Sequence, residues 1–256
     1  MSAGPVRSTV PQGMLPLVGV LVVLLLWQLL VSWFEVPRYL LPKPSDIGAV
    51  VLGRFSDLLE ETLVTLGEAL AGFVIGSAAA FCVGAAFAHF HRFERALSPV
   101  VVALQAVPLI AIAPLLIVWM GNGFLSKVTM AALICFFPMV ITTATGLQAA
   151  PRDSEELMTA LNSSKWQRFL LLRLPYSVPF LTAGLKVNAS YAVIGAIVSE
   201  LAGAGRGIGY LILIASYKTD TPMLFAAIFM AAASGIAFFK TVEAVEARLN
   251  FRFGAR

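Results

Sequence analysis

Charge is what this chain most lacks. Asp, Glu, Lys and Arg make up 12% of its 256 residues, about half the share found in soluble domains, which excludes an ordinary water-soluble globule. Hydrophobic residues fill 59% of positions and the mean hydropathy is +0.88, so the chain reads as an integral membrane protein. Cysteine is nearly absent. Cys82 and Cys135 both lie in apolar runs, which excludes a disulfide framework and reads as two small buried hydrophobes. His89 and His91 are the two histidines, beside Arg92 and Glu94, and no His/Cys/carboxylate cluster has the spacing of a metal site. Gly-x-x-x-x-Gly-Lys-Ser/Thr does not occur, so this chain is expected to bind no nucleotide and no other cofactor. No catalytic constellation is present either, which argues against an enzyme. The net charge of +4 sits at the edges of apolar runs rather than in one patch, which argues against a nucleic-acid partner. Low-complexity tracts, usable internal repeats and a second domain are also missing, so residues 1–256 read as one transmembrane domain.

What is present is a series of apolar runs. A crossing helix takes about 20 residues, and six stretches qualify: 14–34, 64–88, 97–120, 127–148, 179–200 and 221–239. Hydrocarbon leaves no partner for open backbone groups, so each is expected to be helical and the fold class all-α. Ser8 to Phe34 holds no charge, too long for a signal core, and no small-x-small cleavage site follows, so it reads as a retained first span. A shorter run, Gly207 to Tyr217, opens with Gly203-Ala-Gly-Arg-Gly-Ile-Gly209 and reads as a surface loop leading into a short interfacial helix. Between the first two spans the prolines of Val36–Pro44 impose extended backbone, and Ser45 is expected to cap a helix running through Asp57 and Glu60. Gly72-x-x-x-Gly76 in the second span has the spacing of close helix packing.

Orientation follows from the 18 Lys and Arg residues. With the N-terminus inside, twelve are cytoplasmic (Arg7, Arg92, Arg95, Arg152, Lys165, Arg168, Arg173, Lys186, Lys240, Arg248, Arg252, Arg256). Six are outside (Arg38, Lys43, Arg54, Lys127, Arg206, Lys218). The positive-inside rule then places both termini and the 149–178 loop in the cytoplasm, N-in/C-in.

That loop is too polar for lipid and is patterned as two short helices. Asp153 with Glu156 can form a capping box on the first. Asn162 is the turn residue, the type best tolerated after Gly in left-handed backbone. Ser164 with Gln167 forms a second capping box, and Pro175 is expected to stop the helix that follows. Trp166, Phe169 and Leu170 would form one face of that helix, with Lys165 and Arg168 on the other.

The spacing resembles the EAA loop of ABC-importer permeases, where Glu-Ala-Ala is followed after three residues by Gly and after nine more by apolar-x-Leu-Pro. Glu156 stands at the Glu position, Leu157 and Met158 replace the alanines, Asn162 replaces Gly, and Leu172-Arg173-Leu174-Pro175 closes the motif. The resemblance implies a type I importer permease fold of six transmembrane helices in a bacterial cytoplasmic (inner) membrane. It also implies a homodimer with a second permease copy, two cytoplasmic ATPase subunits that bind the ATP, and a periplasmic or lipid-anchored solute-binding protein. Glu156, Asn162, Lys165, Trp166, Leu174 and Pro175 would couple the permease to the ATPases. For Glu156 alone, helix capping is the competing role.

Three further features bear on a pathway. Pro108 and Pro114, with Gln105 before them, would bend the third span, either to line a polar pathway or simply to suit packing. Glu200 lies at the end of span five before the glycine-rich loop; acids at membrane depth are costly and are paired or pathway-facing. The block resembles the segment that closes the outer side of such permeases, and the alternative is an ion pair between Glu200 and Arg206. Leu41-Pro42-Lys43-Pro44 resembles the nitrate/sulfonate/taurine branch, whereas Val193–Glu200 and Asp220-Thr-Pro222 resemble the pyrimidine-precursor and riboflavin permeases, toward which the substrate reading leans. The contrasting class is an ion-gradient-driven secondary transporter, which calls for mid-membrane acids. Spans one to four and six read as carrying none at mid-depth, which disfavours that class.

Overall fold

A computed structural model describes residues 15–105 and 107–253; Arg7, Arg256 and the start of the first apolar run lie outside the described residues. The helices are α1 (Leu15–Trp33), α2 (Pro44–Gly53), α3 (Phe55–His89), α4 (His91–Gln105), α5 (Ala113–Met120), α6 (Phe124–Gln148), α7 (Arg152–Ala160), α8 (Lys165–Arg168), α9 (Leu174–Ala202), α10 (Ile208–Tyr217) and α11 (Thr221–Phe253). A 3₁₀ turn at Leu109–Ile112 precedes α5, and a π turn at Phe169–Arg173 joins α8 to α9. Among the described residues there is no strand.

Among the described residues five helices are long and apolar enough to cross a membrane: α1, α3, α6, the continuous α8–α9 helix and α11. A sixth crossing exists if α4 and α5, bent 84° to each other, count as one span. The expected single third helix is therefore two arms. Pro108 has no N–H to donate and sits extended (φ −67°, ψ 92°) at the break. Pro114 falls in the first turn of α5, where a missing N–H costs nothing. At 35 residues α3 is about 52 Å long, well beyond the hydrocarbon thickness, so it projects past the predicted span.

The core is α3, α6 and α9 packed side by side. Small residues make the approach possible. A Cβ on Gly76 would lie 2.8 Å from Ala132 Cα, and one on Gly195 would lie 2.7 Å from Ala131 Cα. Backbone on backbone at that distance is what Gly72-x-x-x-Gly76 provides. Asn188, fully buried on α9, pins the three helices by donating to Ser77 Oγ and to Cys135 O, both at 3.0 Å. The other long helices lie on this core. Trp27 of α1 packs on Phe225 and Phe229 of α11, while most of α1 is exposed.

Three expectations change. Ser45 does not cap α2: Lys43 holds the cap position with Pro44 in the first turn, and Ser45 instead exchanges hydrogen bonds with Gln28 of α1. The helix from there also does not run on through Glu60, because Arg54 breaks it (φ −127°). The Gly207–Tyr217 run is helical as expected, yet it is packed rather than interfacial. Ile208 is fully buried in a core shared with Leu58, Met223 and Ala227.

Candidate functional site

Two polar assemblies stand at opposite ends of α3 and α9. The first surrounds Glu200. The end of α9 cannot continue past Ala202, where Gly203 takes φ +153°, and the chain turns back over its own helix end. Gly207 (φ +105°) passes so close to the Glu200 carboxyl that any side chain there would overlap it. The glycines of this loop thus serve backbone approach to an acid. Glu200 is fully buried and accepts from Thr65 Oγ1 at 2.6 Å and from the Gly209 N–H at 2.7 Å. Thr65 relays the contact onward, accepting from the Ile208 N–H at 2.8 Å.

Sequence reading missed Glu68. It is 5% exposed on α3, one turn beyond Thr65, the residue that donates to Glu200. Its Oε2 is buried without a partner. Glu68 lies inside the predicted second span, 64–88, four residues from its start. Lys127, one of the six cations placed outside, is 2% exposed. Asn122 Oδ1 (2.5 Å), Gly203 O (3.1 Å) and Ser126 Oγ (3.4 Å) replace its water. The Glu200–Arg206 ion pair does not form. Arg206 reaches across to Glu60 and, at 3.6 Å, to Glu61, while Glu61 also accepts from the Gly207 N–H at 2.5 Å. These carboxylates hold the exposed Arg206 guanidinium's pKa above its ordinary value, the Glu60 hydrogen bond contributing most. The other pathway candidates do not join this assembly directly. Gln105 and Pro108 are exposed at the α4–α5 break, and Pro114 is exposed on α5, whose Ala113 and Leu116 pack toward Met130 and Val198.

At the other end, α7, α8 and their turn form a helical hairpin. Asn162 takes φ +54° at the turn, the left-handed conformation foreseen for it. The Ser164–Gln167 capping box is complete, with reciprocal bonds of 2.8 and 3.2 Å. The Asp153–Glu156 box is not: Pro151 occupies the cap of α7 and no side chain caps it. Glu156 is exposed and makes no bond within the described residues, so capping does not explain it. Its neighbour Glu155, overlooked in the sequence, accepts from Arg173 Nε at 2.6 Å, and Arg173 Nη1 also donates to Ala88 O at 3.2 Å. That bridge ties the hairpin to the foot of α3. Trp166 is 67% exposed and stacks on Phe169 at 5.6 Å. Phe169 lines one cavity with Lys165 and Arg168, so the expected separation of apolar and basic faces fails. Lys165 and Phe169 are four apart and share a helix face.

Pro175 does not stop the helix. It lies in the first turn of α9, just after the π turn, beside Leu174. The wider turn makes room for the pyrrolidine ring that would otherwise clash with the carbonyl four residues back. Continuity matters mechanically, because α8 is thereby an extension of the long buried helix α9 that ends at Glu200.

Membrane-length helices around a shared core, with a capped hairpin at one end and a buried polar network at the other, define a multi-pass membrane protein. The chain belongs to the family of binding-protein-dependent transport system inner membrane components, whose sequence model matches residues 72–253. It is similar to the riboflavin transport system permease protein RibX of Chloroflexus aurantiacus, 37% identical over 82% of this chain and 80% of the relative. It is also similar to the formylaminopyrimidine transport permease protein ThiX of Halalkalibacterium halodurans, 34% identical over 92% of this chain and 94% of the relative. A chain of the MetNI methionine ABC transporter, solved in inward-facing conformations, shares the fold with a TM-score of 0.61, covering 75% of this chain and 98% of that one at 16% identity. The protein is therefore a multi-pass transport component of the inner membrane, an ABC-importer permease rather than a catalytic subunit.

Proposed function

We propose that this permease forms, with a second copy of itself, the pathway of an importer driven by two cytoplasmic ATPase subunits that bind and hydrolyse the ATP. A periplasmic or lipid-anchored binding protein would deliver the solute. The observation that carries this reading is the α7–α8 hairpin: its turn and cap are built, yet Glu156 is exposed without a bond among the described residues and Trp166, stacked on Phe169, stays 67% exposed. An exposed acid and an exposed aromatic on a short rigid element suit a protein partner. Because α8 runs without a stop into α9, a push on the hairpin is transmitted along one helix toward Glu200 and its glycine loop. Switching such an equilibrium from 1:99 to 99:1 takes about 5.5 kcal/mol of differential interaction, which closure of an ATP-loaded partner can deliver. Gln105, Pro108 and Pro114 mark the broken span as a pathway lining, and Glu200 acts in the gate at its outer end. For the solute, the similarity to RibX and ThiX favours a riboflavin-like or pyrimidine-precursor compound; a putative aliphatic sulfonates permease of Bacillus subtilis is 29% identical, and nitrate, sulfonates and taurine are the alternative.

The test is uptake of radiolabelled riboflavin and formylaminopyrimidine by vesicles holding the permease with its ATPase and binding protein. Glu156→Lys should abolish ATPase co-purification and uptake while membrane insertion stays normal. Full uptake by that variant would overturn the coupling role, and uptake driven by an ion gradient without ATP would overturn the class of mechanism.

A further inference from the structure

The hairpin and the foot of α3 flank a half-open cavity of about 160 Å³ lined by Ala88, His89, Lys165, Arg168, Phe169 and Arg173. About 10–15 Å³ of such space holds one water, so it admits several waters or one tetrahedral anion. Its charge is unbalanced. Lys165, Arg168 and Arg173 are three basic side chains, and Arg173 is paired with Glu155. Arg173 is held fast by that bond and by Ala88 O, and Arg168 is oriented by donating to Thr159 Oγ1 at 3.1 Å. Arg168 Nε is nonetheless buried with no acceptor. A buried guanidinium N–H without a partner costs free energy that an anion would recover.

The position of the cavity says which anion. Its floor is Ala85 and Ala88, in the last turn of α3 before a membrane helix ends at His89. Phe90 and Phe93 beyond that end, and Leu171 and Tyr176 on the adjoining helix, are exposed, as expected of side chains at headgroup depth. Of the residues assigned to ATPase coupling, Lys165 lines this cavity, and Glu156 and Trp166 lie outside its lining. From these observations we infer that the cavity binds the headgroup phosphate of an anionic phospholipid, which braces the coupling hairpin against the membrane surface. The inference requires only that α3 ends at that surface and does not depend on what is transported.

The experiment titrates the purified full-length permease, in neutral detergent, with dioctanoyl phosphatidylglycerol, dioctanoyl phosphatidylcholine or inorganic phosphate, and follows the thermal melt. Phosphatidylglycerol should raise the melting temperature saturably and phosphatidylcholine should not. Arg168→Gln should weaken the apparent affinity about fivefold, the effect of losing one basic residue near an anionic surface. Thr159→Ala, which removes only the orienting bond, should weaken it less. Ala85→Leu fills the floor without touching charge and should abolish the effect, so the inference stays testable if Arg168→Gln does not yield monodisperse protein. An equal response to phosphatidylcholine, or unchanged affinity in Ala85→Leu, would overturn it. A response to inorganic phosphate alone would reassign the site to a free anion, and loss of the lipid response once the ATPase docks would reassign it to the protein partner; either result overturns the lipid assignment.

Discussion

Thr65→Val, Glu200→Gln and their double variant form the cycle that tests the network around Glu200. Thr65 is fully buried, donates to Glu200 Oε1 at 2.6 Å and accepts from the Ile208 N–H at 2.8 Å. Valine keeps nearly the same volume but strands the Ile208 N–H and withdraws one donor from Glu200. A stranded buried donor costs about 1–3 kcal/mol. Gln at 200 keeps one acceptor oxygen, so it can satisfy Thr65 or Gly209 but not both, at about the same cost. The two losses share a bond. A bond between membrane helices couples by about 0.6 kcal/mol on average and about 1.7 at most, while a carboxylate acceptor raises the value. The expected coupling is therefore about 1–2 kcal/mol, a factor of about 5–30 in the unfolding constant. Arg206→Gln supplies the contrast, since Arg206 pairs with Glu60 and Glu61 rather than Glu200; its coupling to Glu200→Gln should stay below about 0.5 kcal/mol. Reversible unfolding in mixed SDS micelles gives the four free energies of each cycle. Coupling of Glu200 to Arg206 equal to or larger than its coupling to Thr65 would refute the geometry and restore the ion pair.

Other outcomes follow from the same structure. Cysteine introduced at Ser164 should resist a membrane-impermeant thiol reagent in intact cells and react in inverted vesicles; labelling in intact cells would reverse the topology. Asn162→Gly should leave transport intact, whereas Asn162→Ile, forced into left-handed backbone at φ +54°, should destabilise the hairpin by about 1–2 kcal/mol, seen as faster proteolysis between α7 and α8. Gly76→Ala pushes a Cβ into the Ala132 backbone and should cost about 1–3 kcal/mol. Gly67→Ala, with nothing within 4 Å of the new methyl, should be neutral or stabilising by up to about 1 kcal/mol; equal thermal shifts for the two would show that α3 does not pack on α6 as described.

Composition and local pattern by themselves determined that the chain is an all-helical membrane protein and where its apolar runs lie, because a span needs only length and the absence of charge. They also determined the hairpin turn at Asn162 and the Ser164 cap, since a left-handed residue and a capping box are settled within a few residues of chain. What depends on which helices meet was decided only by the tertiary structure. The burial of Glu68 and Lys127 comes from α3, α6 and α9 closing around them, which no local pattern expresses. Glu155 rather than Glu156 bonds Arg173 because the hairpin folds back onto α3, a contact across eighteen residues that spacing within one helix cannot express. Pro175 reads as a stop in isolation and becomes a passing point once a π turn makes room for its ring. Arg206 is six residues from Glu200 in the chain, yet it pairs with Glu60 and Glu61, because the left-handed glycines turn the loop so that its backbone N–H, not its cation, meets the buried acid.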